Sequence, residues 1–420
     1  MKYNVIDLFA GCGGLTDGFL QTGRFNTLAA VDWEYPTVQT LKKRLITKWN
    51  YNFDDVNVNV LHFDIQRTEE LINGYSDSVF GESKGVDSLI GNKSVDLILG
   101  GPPCQAYSIA GRVRDINGMQ DDYRNYLFES YVNMVQHYQP KAFVFENVEG
   151  ILSAKPGGVQ IVDRIKIAFN EIGYEITDNL RTNALFDTSF YNVPQKRKRL
   201  IIFGVKKSDK STQIVRNFYA QLKGKASKYP VNSKVAFDNL PKIFPCQNST
   251  KNSHNVKLNG VPLPKNHEPR THSNRDIEIF KLLANDIRTG EEKYTSSQAL
   301  IQLYKEKTGK DSNFHKYHVI REDKPSNTIP AHLYKDGLRH IHPDPEQARS
   351  ITVREAARLQ SFDDNFEFLG SKSDQYKMIG NAVPPEFAKI IAETILEIFE
   401  NETDDLILEP GFFNKQAYSH

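Results

Sequence analysis

The sequence predicts an α/β fold: a mixed, mostly parallel sheet wrapped by helices, with a second, smaller and irregular domain late in the chain. Three observations predict it. Short runs rich in Val, Leu, Ile and Phe recur at 3–9, 27–31, 58–63, 95–99, 141–145 and 200–205, separated by helical patterns or polar loops. Glycine-rich or acidic residues follow several of these runs, at the strand edge where open α/β sheets bind ligands. Beyond Lys206 the alternation stops, and prolines, asparagines and eight of the eleven histidines (His254 to His342) fill the chain to about Ser350.

A chain of 420 residues with 39% hydrophobic and 25% charged content has room for two domains around a sizeable core. It contains no apolar run of about eighteen residues and opens directly on a strand pattern, so neither a membrane span nor a signal peptide is expected, and the cytoplasm is the default compartment. The three cysteines, Cys12, Cys104 and Cys246, form no CxxC pair, which argues against a disulfide framework and a zinc site. The net charge of +1 hides an asymmetry: residues 206–270 hold 13 Lys or Arg against three acids, Asp209, Asp238 and Glu268. That segment suits a polyanion, with Lys and Arg for phosphates and Asn, Gln, Arg and His for base edges.

The first strand, 3–9, runs into a glycine-rich turn, Ala10-Gly-Cys-Gly-Gly14, and then a helix patterned on Leu15, Phe19 and Leu20. Glycine lets the backbone approach a ligand, and a helix amino terminus offers free N–H groups. The second strand, 27–31, is followed at once by Asp32, where an acid can bond both ribose hydroxyls of a nucleotide-like cofactor or cap the next helix; Trp33 and Glu34 could flank an adenosine. A third strand, 58–63, ends at Asp64 and Ile65. Residues 66–94 read as a helix start plus an irregular insertion to which the sequence assigns no function.

The fourth strand, 95–99, stops at Gly-Gly-Pro-Pro-Cys-Gln, 100–105. Two prolines fix φ and remove two donors, so Cys104 is expected on a stiff turn at a ligand-binding edge, with 105–111 a loop. A broad helical face spans 124–138. The next strand, 141–145, ends at Glu146, a carboxylate beside the cysteine's strand and thus a plausible acid to its nucleophile. A helix over 159–170 and a strand over 174–180 lead to the run Gln195-Lys-Arg-Lys-Arg199 before the strand 200–205. Alternation along an extended chain puts Gln195, Arg197 and Arg199 on one face and Lys196 and Lys198 on the other.

In the second domain, expected at 206–350, the histidine spacings contain no HExxH, and no metal site is expected. Thr352-Val-Arg-Glu355 is a capping box that starts a helix ending near Gln360. A closing helix beginning at Pro384-Pro385 carries apolar residues at 387, 390, 391, 395 and 398 and is expected to return to the first domain, bringing 380–383 to the cofactor pocket. Residues 401–420 read as a tail.

Taken together these residues resemble the cytosine-5 DNA methyltransferases. The matches keep the family's order: 7–15 resembles its cofactor loop, 101–105 its nucleophile loop, and 146–148, 195–199, 354–360 and 380–381 its remaining blocks, leaving only the variable stretch 206–320 uncovered. The resemblance implies a Rossmann-like, S-adenosylmethionine-dependent methyltransferase domain with a smaller target-recognition domain, and cytosine in double-stranded DNA as acceptor. It implies Cys104 as nucleophile toward carbon 6 of a flipped-out base, Glu146 as proton donor at ring nitrogen 3, and Arg197 and Arg199 as the groups holding base and carboxylate. It further implies Phe9, Gly11, Gly13, Leu15, Asp32, Trp33, Asp64, Ile65, Pro102, Asn381 and Val383 around the cofactor, and Gln105, Ser108 and Arg112 against DNA. The chain looks like the modification half of a bacterial or phage restriction-modification pair, monomeric, with a cognate endonuclease as possible partner. Its rivals are a transfer-RNA cytosine methyltransferase, disfavoured by the long basic segment; a non-catalytic DNA-binding protein, disfavoured by intact Cys104, Glu146 and Arg199; and an NAD-dependent oxidoreductase, which leaves Pro-Pro-Cys-Gln unexplained.

Overall fold

A computed structural model describes residues 2–103, 127–155, 158–245, 254–255, 263–312, 317–335 and 337–401. The sheet starts with β1 (Tyr3–Leu8), whose successor α1 (Gly14–Gln21) leads to β2 (Phe25–Asp32), α2 (Tyr35–Thr47), α3 (Phe53–Asn59) and β3 (Val60–His62). These three strands pair in parallel, in the order β3-β2-β1. The chain then passes through α4 (Thr68–Asn73), a hairpin of β4 (Tyr75–Asp77) and β5 (Gly81–Ser83), and α5 (Val86–Ile90). It re-enters on the other side of β1 as β6 (Leu97–Gly100). This reversal makes β1 and β6 the two strands of the switch point, and a crevice opens beyond their carboxyl ends.

The rest of the sheet explains why it is mixed. Helix α6 (Leu127–Tyr138) precedes β7 (Ala142–Val148), parallel to β6; α7 (Ile161–Glu171), β8 (Tyr174–Ile176), α8 (Leu180–Asn183) and β9 (Leu185–Asp187) follow. Then β10 (Lys198–Lys206) inserts antiparallel between β7 and β8 and also pairs with β9. Its middle residues, Leu200 to Phe203, are wholly buried, as a central strand covered on both faces must be.

Several expected boundaries move. The strand expected over 174–180 stops at Ile176 and a helix begins at Leu180, while the strand expected to end at 145 runs on to Val148, because β10 pairs with it that far. Strand 58–63 begins only at Val60, because Asn52 caps α3 by accepting from the N–H groups of Asp54 and Asp55; the alternating valines 56, 58 and 60 imitate a strand. The first domain does not stop at 205: α9 (Ser211–Gly224) buries Ile214, Val215, Phe218, Tyr219 and Leu222 in the main core. The basic residues around that apolar stripe disguise it as part of the variable segment.

The stretch after 225 is less irregular than its composition suggests. A short antiparallel pair joins β11 (Phe244–Pro245) to β12 (His254–Asn255), and α10 (Asn274–Thr289) with α11 (Ser297–Thr308) builds a separate core around Ile279, Phe280, Leu283 and Leu303. Helix α12 (Val353–Leu359) opens with the expected capping box, Thr352 with Glu355. After α13 (Lys372–Asn381), the long α14 (Pro385–Asn401) lies on α1 and α9, as expected of the closing helix. The fit with α1 is tight: a Cβ on Gly18 would come within 2.5 Å of Ala388 Cβ.

Candidate active site

At the end of β1 the backbone turns through three left-handed residues, Phe9 (φ 57°), Gly11 (φ 55°) and Gly13 (φ 91°). The turn folds back on β2: Ala10 N–H donates to Val31 O (3.0 Å) and Gly11 N–H to Asp32 Oδ2 (2.8 Å). The other Asp32 oxygen accepts from Glu34 N–H and the Thr37 hydroxyl, each at 2.8 Å, so this carboxylate joins the glycine turn to the start of α2. Burial pushes its pKa up against those hydrogen bonds. Gly13 is glycine for its left-handed backbone, whereas Gly14 is glycine for packing, since a Cβ would meet Val383 O at 2.2 Å. Gly11 differs: a Cβ there would have nothing within 4 Å. The space above Gly11 is therefore a cradle, open beside a helix start and a strand-end carboxylate.

Leu15 and Ile65 are buried in the main core, Asp64 caps the turn after β3 by accepting from Gln66 N–H (3.0 Å), and Trp33 is 56% exposed. From the far end of the chain, Val383 closes on α1 while Asn381 remains exposed.

The second half of the site stands on β6, β7 and β10. Gly100 has no side chain because Leu8 O and the Tyr131 ring occupy the space, and a Cβ there would meet them at 2.5 and 2.7 Å. Gly101 lies against Glu146, whose Oε2 would be 2.5 Å from a Cβ, and buried Pro102 accepts a bond from Asn147 Nδ2 (3.2 Å). Thus Glu146 and Asn147, near the carboxyl end of β7, brace the residues that precede Cys104. Cys104 itself, with Gln105, Ser108 and Arg112, lies outside the described residues.

Glu146 is 8% exposed, and its Oε1 lies 2.6 Å from Arg199 Nε. Burial raises the Glu146 pKa, outweighing the pull of the Arg199 and Arg197 charges. A buried carboxyl inclined to hold a proton, beside a cation that fixes its orientation, can donate that proton to a base in the crevice.

The alternation over 195–199 is as the sequence predicts, with Gln195, Arg197 and Arg199 buried and Lys196 and Lys198 exposed. The two arginines nevertheless do different work. Arg197 donates to Ile329 O (3.2 Å), Gly380 O (2.8 Å) and Ala382 O (3.0 Å), not to the carboxylate. It is a tether between β10 and the C-terminal cofactor-side loop, which corrects the expectation that it holds Glu146. Gln195, to which the sequence assigns a face but no role, accepts from Ile329 N–H (2.8 Å) and donates to Leu359 O (3.2 Å). Gln360 extends the same seam to Ile379 O (2.6 Å). Polar side chains set next to apolar runs are the signal for such seams.

Comparison with known proteins places this arrangement. Residues 3–397 match the family of C-5 cytosine-specific DNA methylases. The chain belongs to that family. The methylase is 34% identical to the Type II methyltransferase M.Bpa9945I of Bacillus paralicheniformis, over 94% of this chain and 98% of the relative. It is 31% identical to the Type II methyltransferase M.DdeI of Desulfomicrobium norvegicum, over 95% and 89% of the two chains. Among solved structures, a DNA modification methyltransferase encoded within an E. coli prophage is similar with a TM-score of 0.56 at 24% identity, covering 95% of this chain and 100% of its own. The methyltransferase Dnmt2 of S. pombe is similar with a TM-score of 0.51 at 14% identity, covering 96% and 99%. These two likenesses concern the fold, a Rossmann-like α/β methyltransferase fold. No helix among the methylase's described residues is long and apolar enough to cross a membrane, and no group of three or more His, Cys, Asp or Glu among them could hold a metal.

Proposed function

We propose that the methylase transfers a methyl group from S-adenosylmethionine to carbon 5 of a cytosine flipped out of double-stranded DNA, acting in the cytoplasm as the modification enzyme of a restriction-modification system. The observation that carries this reading is the buried Glu146–Arg199 pair against Gly101, three residues before Cys104.

Carbon 5 of cytosine is too electron-poor to attack a methyl sulfonium. Addition of the Cys104 thiolate to carbon 6 pushes an electron pair through the ring toward nitrogen 3, where Glu146 delivers its proton, and carbon 5 becomes an enamine nucleophile. Once carbon 5 carries the methyl group, its proton leaves to water, the carbon 6–sulfur bond breaks, and the proton on nitrogen 3 returns to Glu146. Arg199 orients Glu146 and supplies a cation beside the base carbonyl. The donor supplies an electrophilic methyl group. Its holders are the Phe9–Gly13 turn with the open space above Gly11, Asp32 and Trp33, Asp64 and Ile65, Pro102, and Asn381 with Val383. Asp32 retains acceptor capacity for ribose hydroxyls beside the three bonds it already accepts.

The lobe following α9, to about 330, is the segment we assign to reading the target sequence, and Gln105, Ser108 and Arg112 to contact with the displaced duplex. Mapping 5-methylcytosine across the genome of a methylation-free host tests the reading. Full modification of one short motif, lost in Cys104→Ser and severely reduced in Glu146→Gln, is expected. A host genome left unmodified by a folded, S-adenosylmethionine-binding protein would overturn the DNA assignment, and transfer RNA would then be the acceptor to assay.

A further inference from the structure

The insertion at 66–94, to which the sequence assigns no function, carries in its hairpin turn an aromatic side chain, Phe80, that packs on residues at the carboxyl ends of β2 and β3. Arg67, three residues after Asp64, pairs with Asp77 at 2.6 Å and also with Glu70. Asp77 Oδ1 in turn accepts from the N–H groups of Val79 (2.7 Å) and Phe80 (3.0 Å), which fixes the turn between β4 and β5. The Arg67 guanidinium lies over the rings of Phe63 (4.9 Å) and Phe80 (5.9 Å). So held, the Phe80 ring meets Phe63 at 5.2 Å, His62 at 5.0 Å and Trp33 at 5.8 Å, all edge to face.

Trp33 is the residue at stake. It follows Asp32 at the carboxyl end of β2, its carbonyl lies 2.9 Å from His62 Nε2, and more than half of its surface is open. The ring that meets its indole among the described residues is that of Phe80. An indole held from one edge loses less freedom when a flat ligand settles on its open surface than one free to rotate.

We propose that Phe80 is a positioning residue of the cofactor site, holding the Trp33 indole so that its open surface packs on the adenosine of S-adenosylmethionine. The proposal rests on the donor named under the function above. The hairpin is then a support for the pocket, and Arg67 and Asp77 are the braces that aim it.

The test is calorimetric titration of the full-length protein with S-adenosylmethionine in the absence of DNA, followed by steady-state methylation. Phe80→Ala and Phe80→Leu are expected to weaken binding about three- to tenfold and to raise KM for the donor by the same factor, with kcat at saturating donor unchanged. Phe80→Tyr keeps the ring edge and is expected to bind as the parent does. Phe80→Leu retains apolar packing on Phe63, so its thermal midpoint separates loss of fold from loss of the contact. Parent-like binding by Phe80→Leu, or a loss in Phe80→Tyr as large as that in Phe80→Ala, would overturn the proposal. Failure of the parent protein itself to bind the donor would instead overturn the proposed function.

Discussion

Arg199 Nε and Glu146 Oε1 stand 2.6 Å apart, each side chain about one-tenth exposed, across the antiparallel pair of β10 and β7. Halving so buried a pair leaves a charge without compensation. Arg199→Met therefore removes a cation that lowers the Glu146 pKa and lets the carboxyl drift out of line. Its single-turnover methyl-transfer rate is expected to fall about a hundredfold or more, and that of Glu146→Gln by about 10²- to 10⁴-fold. Because the two act as a unit, the double variant is expected to be no slower than the worse single one. Multiplicative losses in rapid-quench experiments would show two independent contributions.

Arg197 leads to a different outcome. Its three carbonyl partners come from 329, 380 and 382, so Arg197→Met unties the C-terminal loop while leaving the Glu146–Arg199 pair intact. Leaving buried carbonyls unpaired costs about 1–3 kcal/mol each. The expected result is a thermal midpoint lower by several degrees and weaker S-adenosylmethionine binding, with the transfer rate at saturating donor reduced less than tenfold. Calorimetry and single-turnover kinetics on the same variant separate these effects.

The glycines of the first turn can be divided in the same way. Gly14→Ala drives a Cβ to 2.2 Å from Val383 O, so either α1 or the 380–383 loop must shift, and loss of stability is expected together with loss of donor binding. Gly11→Ala meets nothing but sits at φ 55°, a strain of about 1 kcal/mol. It is expected to melt within a few degrees of the parent while binding S-adenosylmethionine at least tenfold more weakly, because its methyl group enters the cradle. Equal donor affinity in Gly11→Ala would remove this space from the cofactor site.

These residues also mark what local sequence can and cannot encode. Strand ends carry their own punctuation, so the positions of Asp32, Asp64 and Pro102 at the carboxyl edge of the sheet are legible in the sequence, and a period of two separates Arg199 from Lys198; Glu146 is placed near that edge too, but its strand runs on to Val148 because β10 pairs with it. Helices buried by tertiary contact are harder. The stripe Ile214, Val215, Phe218, Tyr219 and Leu222 is hidden by surrounding lysines, and α10 is masked by its polar neighbours although Ser273 caps it and Ile279, Phe280 and Leu283 keep a helical period. The division of labour between Arg197 and Arg199 depends on carbonyls 132 to 185 positions away in sequence, which no local pattern encodes.

The pH dependence of stability is expected to reflect two opposed sets of buried groups. Asp7, fully buried with its Oδ2 accepting the Thr16 hydroxyl, has its pKa raised by burial from 3.8 to about 7. The folded chain keeps a proton that the unfolded chain releases, so this group favours folding at low pH, and its contribution is lost as pH rises from about 4 to 7. His340 and His342 run the other way, lowered by burial from 6.5 to about 3. His342 Nδ1 accepts from Asp344 N–H, and its Nε2 lies 3.4 Å from Glu355 Oε1, itself paired with Arg349. Unfolding lets both rings take protons, so stability falls as pH drops below about 6.5. A group contributes a slope of up to about 1.4 kcal/mol per pH unit within its window; His340 and His342, with His267 lowered in the same sense, oppose Asp7, with Asp32 and Glu146 raised in the same sense as Asp7. Relative to the parent protein, Asp7→Asn is expected to lose stability more steeply on acidification and His342→Gln less steeply. Urea midpoints at about pH 7, 6 and 5 check these slopes, and an Asp7→Asn slope equal to the parent's would mean that Asp7 is ionised in the folded chain over this range.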